Sequence, residues 1–269
     1  MEEQLIEQVQ VYEPFTHLHN HTDFSLLDGA APIERYMAKA KELNMQNLAI
    51  TDHGNMFGAL RFYFAAKKAG INPIIGCEFY SNPTSRWEKT MIGGKKPHQY
   101  HLILLAMNEK GYHNLMLLNS LAYTEGFYFK PRIDDELLLK YNEGLICLSA
   151  CLGGEILQNL LHDQYDDAKA RALWFSSVFD DGRYYLEMQD HGLTEQKRTN
   201  PLLKKISDET GIPLVCTNDI HYIEKSDANA QDLLLCIGTN SKKNDPDRLR
   251  FPCPEFYMKS YQEMLALFS

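Results

Sequence analysis

Short apolar, strand-like runs alternate with helix-like segments along most of this chain, and this alternation restricts its fold more than any other feature. An alternation sustained seven times predicts an α/β domain with a mostly parallel sheet and helices outside it. The seven strand-like runs are residues 15–20, 47–51, 73–79, 100–106, 144–149, 184–188 and 213–217.

The segments between these runs carry apolar residues at helical spacing. Pro32 suits a first helical position, and Gly70 suits the cap that ends a helix. Two stretches interrupt the pattern: residues 81–99, a polar insertion that we expect to be a mobile loop, and residues 124–132, an aromatic and basic connection. The predicted helices are residues 32–43, 56–69, 112–123, 134–140, 154–161, 166–179 and 194–210.

Three histidines alternate in the motif HLHNH of the first strand-like run, at His17, His19 and His21. Because successive side chains of a strand point to opposite faces, these three share one face. Buried imidazoles need polar partners, and histidine is a common ligand of zinc-like ions. The trio is therefore a candidate metal site, together with Asp28 in the following loop. For any single histidine here, a structural role is the alternative.

Further candidate ligands stand where other strand-like runs meet loops. Asp52 and His53 end the second run, where Asp52 could instead cap the next helix. Glu78 interrupts the apolar run PIIGCEFY, and a carboxylate there costs free energy unless it is paired or metal-bound. The other candidates are His101 before LILLA, Cys151 after the fifth run, and Asp219 and His221 in TNDIHY.

The joint position of these residues bears on the shape of the sheet. Seven strands can close into a barrel or stay open as a doubly wound sheet. A closed barrel brings all carboxyl ends of its strands to one mouth, whereas an open sheet spreads them along an edge, so we expect a barrel. His101 is the exception, since it stands near the start of its predicted strand.

Residues 226–269 differ in character from the barrel domain predicted over residues 1–225. Residues 228–237 have helical spacing, residues 240–254 are polar and contain prolines, and residues 260–268 begin another helix. We expect this extension to lead towards a further domain of a longer protein.

Charge and cysteine content argue against several classes of protein. The formal net charge of −9 argues against a protein that coats nucleic acid with a basic face, although bound metal ions would add local positive charge. The six cysteines form no C-x-x-C pair, which argues against a disulfide framework. No apolar run has the length of a membrane span, and the N-terminus does not resemble a signal peptide. We therefore expect a cytoplasmic protein without a membrane partner.

The motifs HLHNH, TDHGN, GCEFY, YHLILLA, SACLGGE and TNDIHY, in this order and spacing, resemble the PHP (polymerase and histidinol phosphatase) domain family. The motifs TEGFYFKPRID and RFPCPEFYMKS resemble the branch of that family found at the N-terminus of bacterial replicative DNA polymerase III alpha subunits. The resemblance runs nearly the length of the chain. It implies a distorted seven-stranded (β/α)7 TIM-like barrel.

The resemblance also implies a centre of three divalent metal ions, zinc and/or manganese, with iron or magnesium as further candidates. Cys151 departs from the histidine of many stand-alone members, and a soft thiolate ligand favours zinc over magnesium. His17 becomes a neighbour of the centre, and His191 is the first of the other histidines to test. The nine implied ligands are His19, His21, Asp28, His53, Glu78, His101, Cys151, Asp219 and His221.

The function implied is metal-dependent phosphodiester hydrolysis, a 3′→5′ exonuclease that proofreads a DNA 3′ end. We expect Asp52, Asp219 and His221 to support catalysis, with Asp52 orienting a ligand histidine. Lys130 and Arg132 are candidates to hold the DNA backbone, with solvated loop charge as the alternative. The implied partners are a DNA 3′ end, the rest of the polymerase alpha subunit and other replisome subunits. Two alternatives stay open: a metal-stabilised structural module without catalysis, and a small-molecule phosphatase of the histidinol-phosphate type.

Overall fold

A computed structural model describes residues 15–90 and 97–268 of the chain. It has an α/β fold built on a seven-stranded sheet. The strands at residues 100–106 and 184–188 have the predicted bounds, whereas a short strand at residues 132–133 was not predicted. The strands are β1 (Asn47–Ile50), β2 (Asn72–Ser81), β3 (Tyr100–Ala106), β4 (Arg132–Ile133), β5 (Leu145–Leu148), β6 (Tyr184–Met188) and β7 (Leu214–Cys216).

The helices follow the predicted segments closely, and side chains or glycines mark several of their ends. The side chain of Asn108 accepts from the backbone N–H of Gly111 at the start of α3, and Gly70 ends α2 in a left-handed conformation. Pro32 precedes α1 as its cap residue, one position before the predicted place. The helices are α1 (Ile33–Glu42), α2 (Ala59–Ala69), α3 (Glu109–Thr124), α4 (Asp135–Tyr141), α5 (Glu155–Leu161), α6 (Tyr165–Val178), α7 (Thr194–Thr210), α8 (Ala228–Gly238) and α9 (Tyr261–Phe268).

Strand order in the sheet is β1-β2-β3-β5-β6-β7, with β4 paired to β2. The pairs at both ends of this order are parallel, but β3 runs antiparallel to both β2 and β5. The mostly parallel sheet is therefore interrupted in its middle. The reason is local: in their described parts, residues 82–99 contain no crossover helix between β2 and β3, and parallel neighbours need such a crossover.

Residues 17–21 run between the two outer strands without forming the strand predicted at residues 15–20. Their backbone donates or accepts on both sides: Ala49 N–H donates to His17 O at 3.2 Å, and His21 N–H donates to Ile220 O at 2.7 Å. Only Asn20 forms a bridge of the strand type, with Ile220. This segment lies between β1 and the chain just after β7 and makes two backbone hydrogen bonds on each side, which form one bridge but no ladder.

Apolar side chains pack on both faces of the sheet: against the helices on the outer face and against one another on the inner face. On the outer face, Leu102 and Leu104 of β3 belong to a large buried cluster with residues of α3 to α7. On the inner face, Ile103 and Leu105 pack in a small cluster with Leu148 of β5 and others. The alternation along β3 places Glu78, opposite Ile103, on the inner face as well.

The extension after residue 225 packs back on the sheet. Its residues 255–258 hydrogen-bond to residues 218–223, for example through His221 N–H to Phe256 O at 2.9 Å. Met258 is buried in the core that also holds α1 and α2. Residues 91–96 of the predicted mobile loop lie outside the described residues. None of the helices in the described part of the chain combines the length and apolar character that a membrane crossing requires.

Candidate metal centre

A first group of converging side chains lies at the inner end of residues 17–21. His19 Nε2 and His21 Nε2 are 3.1 Å apart, and His19 Nε2 is 2.8 Å from Glu78 Oε2. Asp219 Oδ1 lies 3.1 Å from both ring nitrogens, yet the angles form no hydrogen bond and this buried oxygen has no hydrogen-bond partner. The distances are those expected around one ion with bonds of about 2.0–2.2 Å, so the orphaned oxygen fits a metal ligand.

A second group shares His21 with the first. The rings of His21, His53 and His221 lie together, with centroids 3.8 Å apart for His21 and His53 and 4.3 Å apart for His21 and His221. Asp28 reaches the same place from its loop, with Oδ2 3.2 Å from His53 Nε2. Gly54 follows His53 at a φ of +61°, which lets the chain turn sharply beside the ring of Tyr80.

A third group shares Glu78 with the first and contains His101 and Cys151. His101 Nδ1 is 2.9 Å from Glu78 Oε1 and 3.5 Å from Cys151 Sγ. Because β3 is antiparallel, the start of β3 lies at the same end of the sheet as the ends of its neighbours, which explains how His101 reaches the centre. A Cβ on Gly153 would meet the His101 ring at 3.0 Å, so this position needs glycine to let the ring approach.

Charges within this cluster shift the pKa values of its members strongly. Burial would lower the pKa of His53, but the carboxylates of Glu78 and Asp28 outweigh burial and raise it to about 10. Burial would raise the pKa of Asp219, but the imidazoles of His19 and His221 hold it well below its usual range. Binding of a cation would therefore compete with a proton on His53.

Cys151 carries a thiol whose proton a metal would have to displace. Burial raises the pKa of this thiol, and the nearby charges of Asp219 and Glu78 raise it further. A metal-bound cysteine is deprotonated by the cation, whose positive charge stabilises the thiolate. The donor set of imidazole, carboxylate and thiol matches zinc-like ions.

A buried carboxylate behind the first group orients His19. Glu187 is fully buried on β6, and its Oε1 lies 2.6 Å from His19 Nδ1. Gln189 Nε2 donates to the same oxygen at 2.9 Å, and Thr217 Oγ1 donates to it at 2.5 Å. Imidazole ligands of metals characteristically donate their second ring N–H to such a carboxylate. Glu187 was missed in the sequence, although it interrupts the apolar strand YYLEM just as Glu78 interrupts its own strand.

Asp52 lies behind the second group and acts on His21 through a hydroxyl. Its Oδ1 accepts from Ser25 Oγ at 2.7 Å, and Ser25 Oγ lies 3.1 Å from His21 Nδ1. Thr22 donates to both carboxylate oxygens through its N–H and its hydroxyl. The expected contact of Asp52 with a ligand histidine is thus indirect, and Ser25 is the residue that touches the ring.

Two other candidate histidines point away from the cluster. His17 Nε2 lies 2.7 Å from Lys259 O, and burial lowers the pKa of this histidine to about 4. His191 is buried, with Nε2 3.0 Å from Asn218 O and Nδ1 2.8 Å from Gln196 Nε2. Both ring nitrogens of His191 are occupied, so it holds the structure together instead of facing the centre.

The two basic candidates for DNA contact differ in exposure. Lys130 is exposed, with Nζ 5.0 Å from the ring centroid of Tyr80 near the centre. Arg132 is fully buried and donates to three backbone carbonyls, at Gly126, Arg86 and Glu88. The expectation that Arg132 holds the DNA backbone is therefore wrong, because its guanidinium does not reach solvent.

One side of the cluster opens to solvent. The side chains of Glu78 and His19 are 0% exposed, whereas those of Asp28 and His101 are 28% and 27% exposed. Structural zinc sites are closed by protein ligands, and catalytic ones keep a side open to substrate or water. The arrangement thus has the chemical character of an accessible centre.

The PHP domain family model matches residues 17–191 of the chain. The DNA polymerase III subunit alpha of Borreliella burgdorferi is 53% identical over 255 residues, which cover 95% of this chain and 22% of that protein. The corresponding subunit of Treponema pallidum is 51% identical over 256 residues, with coverage of 94% and 22%. The chain spans about a fifth of the length of these curated relatives.

A solved structure of a protein proposed to be a metal-dependent phosphoesterase, from Bifidobacterium adolescentis, also matches the chain. It superposes with a TM-score of 0.48 at 13% sequence identity, covering 95% of this chain and 96% of that one.

Proposed function

The chain belongs to the PHP domain family, and on that premise we propose that it is a metal-dependent phosphodiesterase that trims DNA from its 3′ end. The observation that carries the proposal is the open-sided cluster described above. Eight of the nine expected ligands fall into three groups, and within each group the ligand atoms lie within 4.8 Å of one another. The ninth, Asp28, adjoins the group that contains His53. The three groups support three divalent ions, with zinc or manganese as the candidates.

When bound, such ions would lower the pKa of a bound water and offset negative charge on the phosphate oxygens. The chain itself holds the imidazoles in place. Glu187 fixes the ring of His19 by its hydrogen bond, and Ser25, held by Asp52, fixes the ring of His21. Exposed Lys130 can pair with a phosphate beside the centre.

We place this activity within a replicative DNA polymerase alpha subunit, with the rest of that subunit and a DNA 3′ end as partners. The support is the identity to the two alpha subunits over nearly the whole chain. Other replisome subunits are further candidate partners. Iron and magnesium stay secondary metal candidates. Magnesium prefers oxygen ligands, whereas Cys151 offers a soft thiolate.

The direct test is cleavage of DNA by purified protein loaded with manganese or zinc. We expect loss of nucleotides from the 3′ ends of single-stranded or mismatched DNA, and no loss with Asp219→Asn, which keeps the side-chain shape but removes the charge. Arg198→Ala, at an exposed arginine of α7 paired with Asp163, is the matched control and should trim like the unaltered chain. Equal trimming by Asp219→Asn would identify a contaminating nuclease and reject the assignment.

Two other outcomes would point to the alternative functions. Chelation that lowers the melting temperature, with no cleavage of any ester under any metal, would indicate a structural role for the ions. Faster hydrolysis of a phosphomonoester than of a DNA 3′ end would indicate a small-molecule phosphatase.

A further inference from the structure

A pocket lies beside the metal centre, between α8 and the chain that returns from it. Its volume is about 310 Å³. The motif RFPCPEFYMKS, which the metal centre does not use, supplies one wall. The residues that line the pocket include Tyr222, Gln231, Asp232, Arg248, Arg250 and Phe251.

Two residues that line the pocket contact candidate metal ligands. The ring centroid of Phe251 is 4.7 Å from that of His221, at an interplanar angle of 73°. Gln231 Nε2 donates to Asp28 Oδ1 at 3.2 Å. Both contacts join a pocket residue to a candidate metal ligand, so the pocket lies directly beside the centre.

Two arginines give the pocket its charge. Arg248 is neutralised by Asp232, which receives two of its N–H groups. Arg250 is exposed, and its Nη2 donates to the backbone carbonyls of Asp245 and Pro246 at 2.9 and 3.3 Å. These carbonyls hold the guanidinium in place without cancelling its charge. In a chain with a net charge of −9, such a fixed positive group next to a cation centre favours an anion.

We propose that this pocket binds the nucleotide unit adjacent to the one held at the metal centre. Phe251 stacks on the base, and Arg250 pairs with a phosphate of the same strand. The inference rests on the proposed function, because it assumes that the phosphodiester substrate is a nucleic acid strand. It assigns substrate contacts to residues after position 225, outside the segment that matches the family model.

The test is binding of a fluorescein-labelled single-stranded tetrathymidylate to zinc-loaded protein, followed by anisotropy. Phosphorothioate linkages resist hydrolysis, so that no turnover disturbs the measurement. Phe251→Leu keeps an apolar side chain against Phe256 but removes the ring, and should weaken binding about tenfold. Arg250→Ala should weaken binding several-fold and reduce the slope of log K against log salt by about 0.7, the loss of one phosphate contact.

An abasic phosphorothioate chain of the same length separates the two contacts. Phe251→Leu should bind it like the unaltered protein, whereas Arg250→Ala should still bind it more weakly. Arg198→Ala is the control for removal of an exposed arginine elsewhere. Melting temperature and zinc content are measured for each variant. If Phe251→Leu loses zinc because it packs on His221, Arg250→Ala decides the outcome, since no hydrogen bond or ion pair described for Arg250 involves a candidate ligand.

Unchanged affinity and salt slope in Arg250→Ala would overturn the proposal, as would equal binding of the thymidylate and abasic chains by the unaltered protein. Failure of the proposed function shows separately. Hydrolysis of bis(p-nitrophenyl) phosphate, a diester without a base, tests the metal centre by itself. Hydrolysis of that diester without nucleotide binding would reject the pocket alone, and nucleotide binding without hydrolysis of any diester would reject the enzyme assignment alone.

Discussion

Glu187→Gln exchanges a buried carboxylate for an amide of the same size directly behind His19. In the structure, Glu187 Oε1 lies 2.6 Å from His19 Nδ1 and accepts from Gln189 and Thr217 as well. Its Oε2 is buried without a hydrogen-bond partner. The amide can still accept one hydrogen bond from the ring, but it removes the negative charge that makes the imidazole a stronger donor of electrons to a cation.

The magnitude follows from this geometry. Loss of a partner that orients a metal ligand weakens metal binding by about 10- to 100-fold, or about 1.4–2.8 kcal/mol at about 1.4 kcal/mol per tenfold. Because the amide keeps the shape and one neutral hydrogen bond, we expect the lower part of this range. The ion held by the group of His19 should be affected most, since Glu187 touches no other ligand ring among the described contacts.

The assay is competition for zinc between the protein and a chromogenic chelator, with zinc content measured by elemental analysis. Glu155→Gln is the matched control, because Glu155 also pairs through a carboxylate, with Arg171 Nε at 2.7 Å, but lies outside the ligand groups. The control should lower the melting temperature and leave zinc affinity unchanged. Equal zinc affinity in Glu187→Gln and the unaltered chain would refute the role given to this carboxylate.

Three further predictions follow from the same structure. Arg132→Ala should lower the free energy of unfolding in urea by about 3 kcal/mol, because three buried carbonyls lose their donor. Lys130→Ala should keep the melting temperature and weaken DNA binding. Weaker DNA binding by a stable Arg132→Ala, or loss of stability in Lys130→Ala, would contradict the roles given to these two residues. The carboxylates of Glu78 and Asp28 outweigh burial and raise the pKa of His53 to about 10, so zinc affinity should rise with pH, and zinc binding should release one more proton near neutrality from the unaltered chain than from His53→Gln, measured by calorimetry in buffers of different ionisation enthalpy. The Cys151 thiol loses its proton in both proteins, and equal release by both would exclude His53 as a ligand. Gly153→Ala should displace the His101 ring and weaken the thiolate-to-cobalt absorption of cobalt-loaded protein, and an unchanged spectrum would show that the ring tolerates the methyl group.

Local patterns in the sequence predicted most of the elements. The bounds of β3, β6 and α7 agree with the predicted segments, because periods of 2 and 3.6 are properties of neighbouring residues. The same reasoning placed ligand-type residues at strand ends, and the structure brings those side chains together. Their role as metal ligands stays a prediction that the zinc measurements above will test.

Other features depended on contacts between distant parts of the chain. Residues 15–20 have the composition of a strand, but their backbone forms one bridge, between Asn20 and Ile220, and no continuous ladder with either neighbour. The closed barrel expected from the ligand positions stays a prediction, whereas the curled seven-stranded sheet is present. Polar insertions such as residues 81–99 do not reveal the direction of the strand that follows them.

The sequence alone determined which residue types stand at each strand end and which segments are helical, because these depend on spacing along the chain. Only the tertiary structure decided that β3 is antiparallel, which brings His101 to Glu78, and that Arg132 is buried while Lys130 is exposed. It also showed Glu187 behind His19, 168 positions apart in the chain. Strand direction and burial are set by the free energy of packing against remote partners, and no local pattern carries that information.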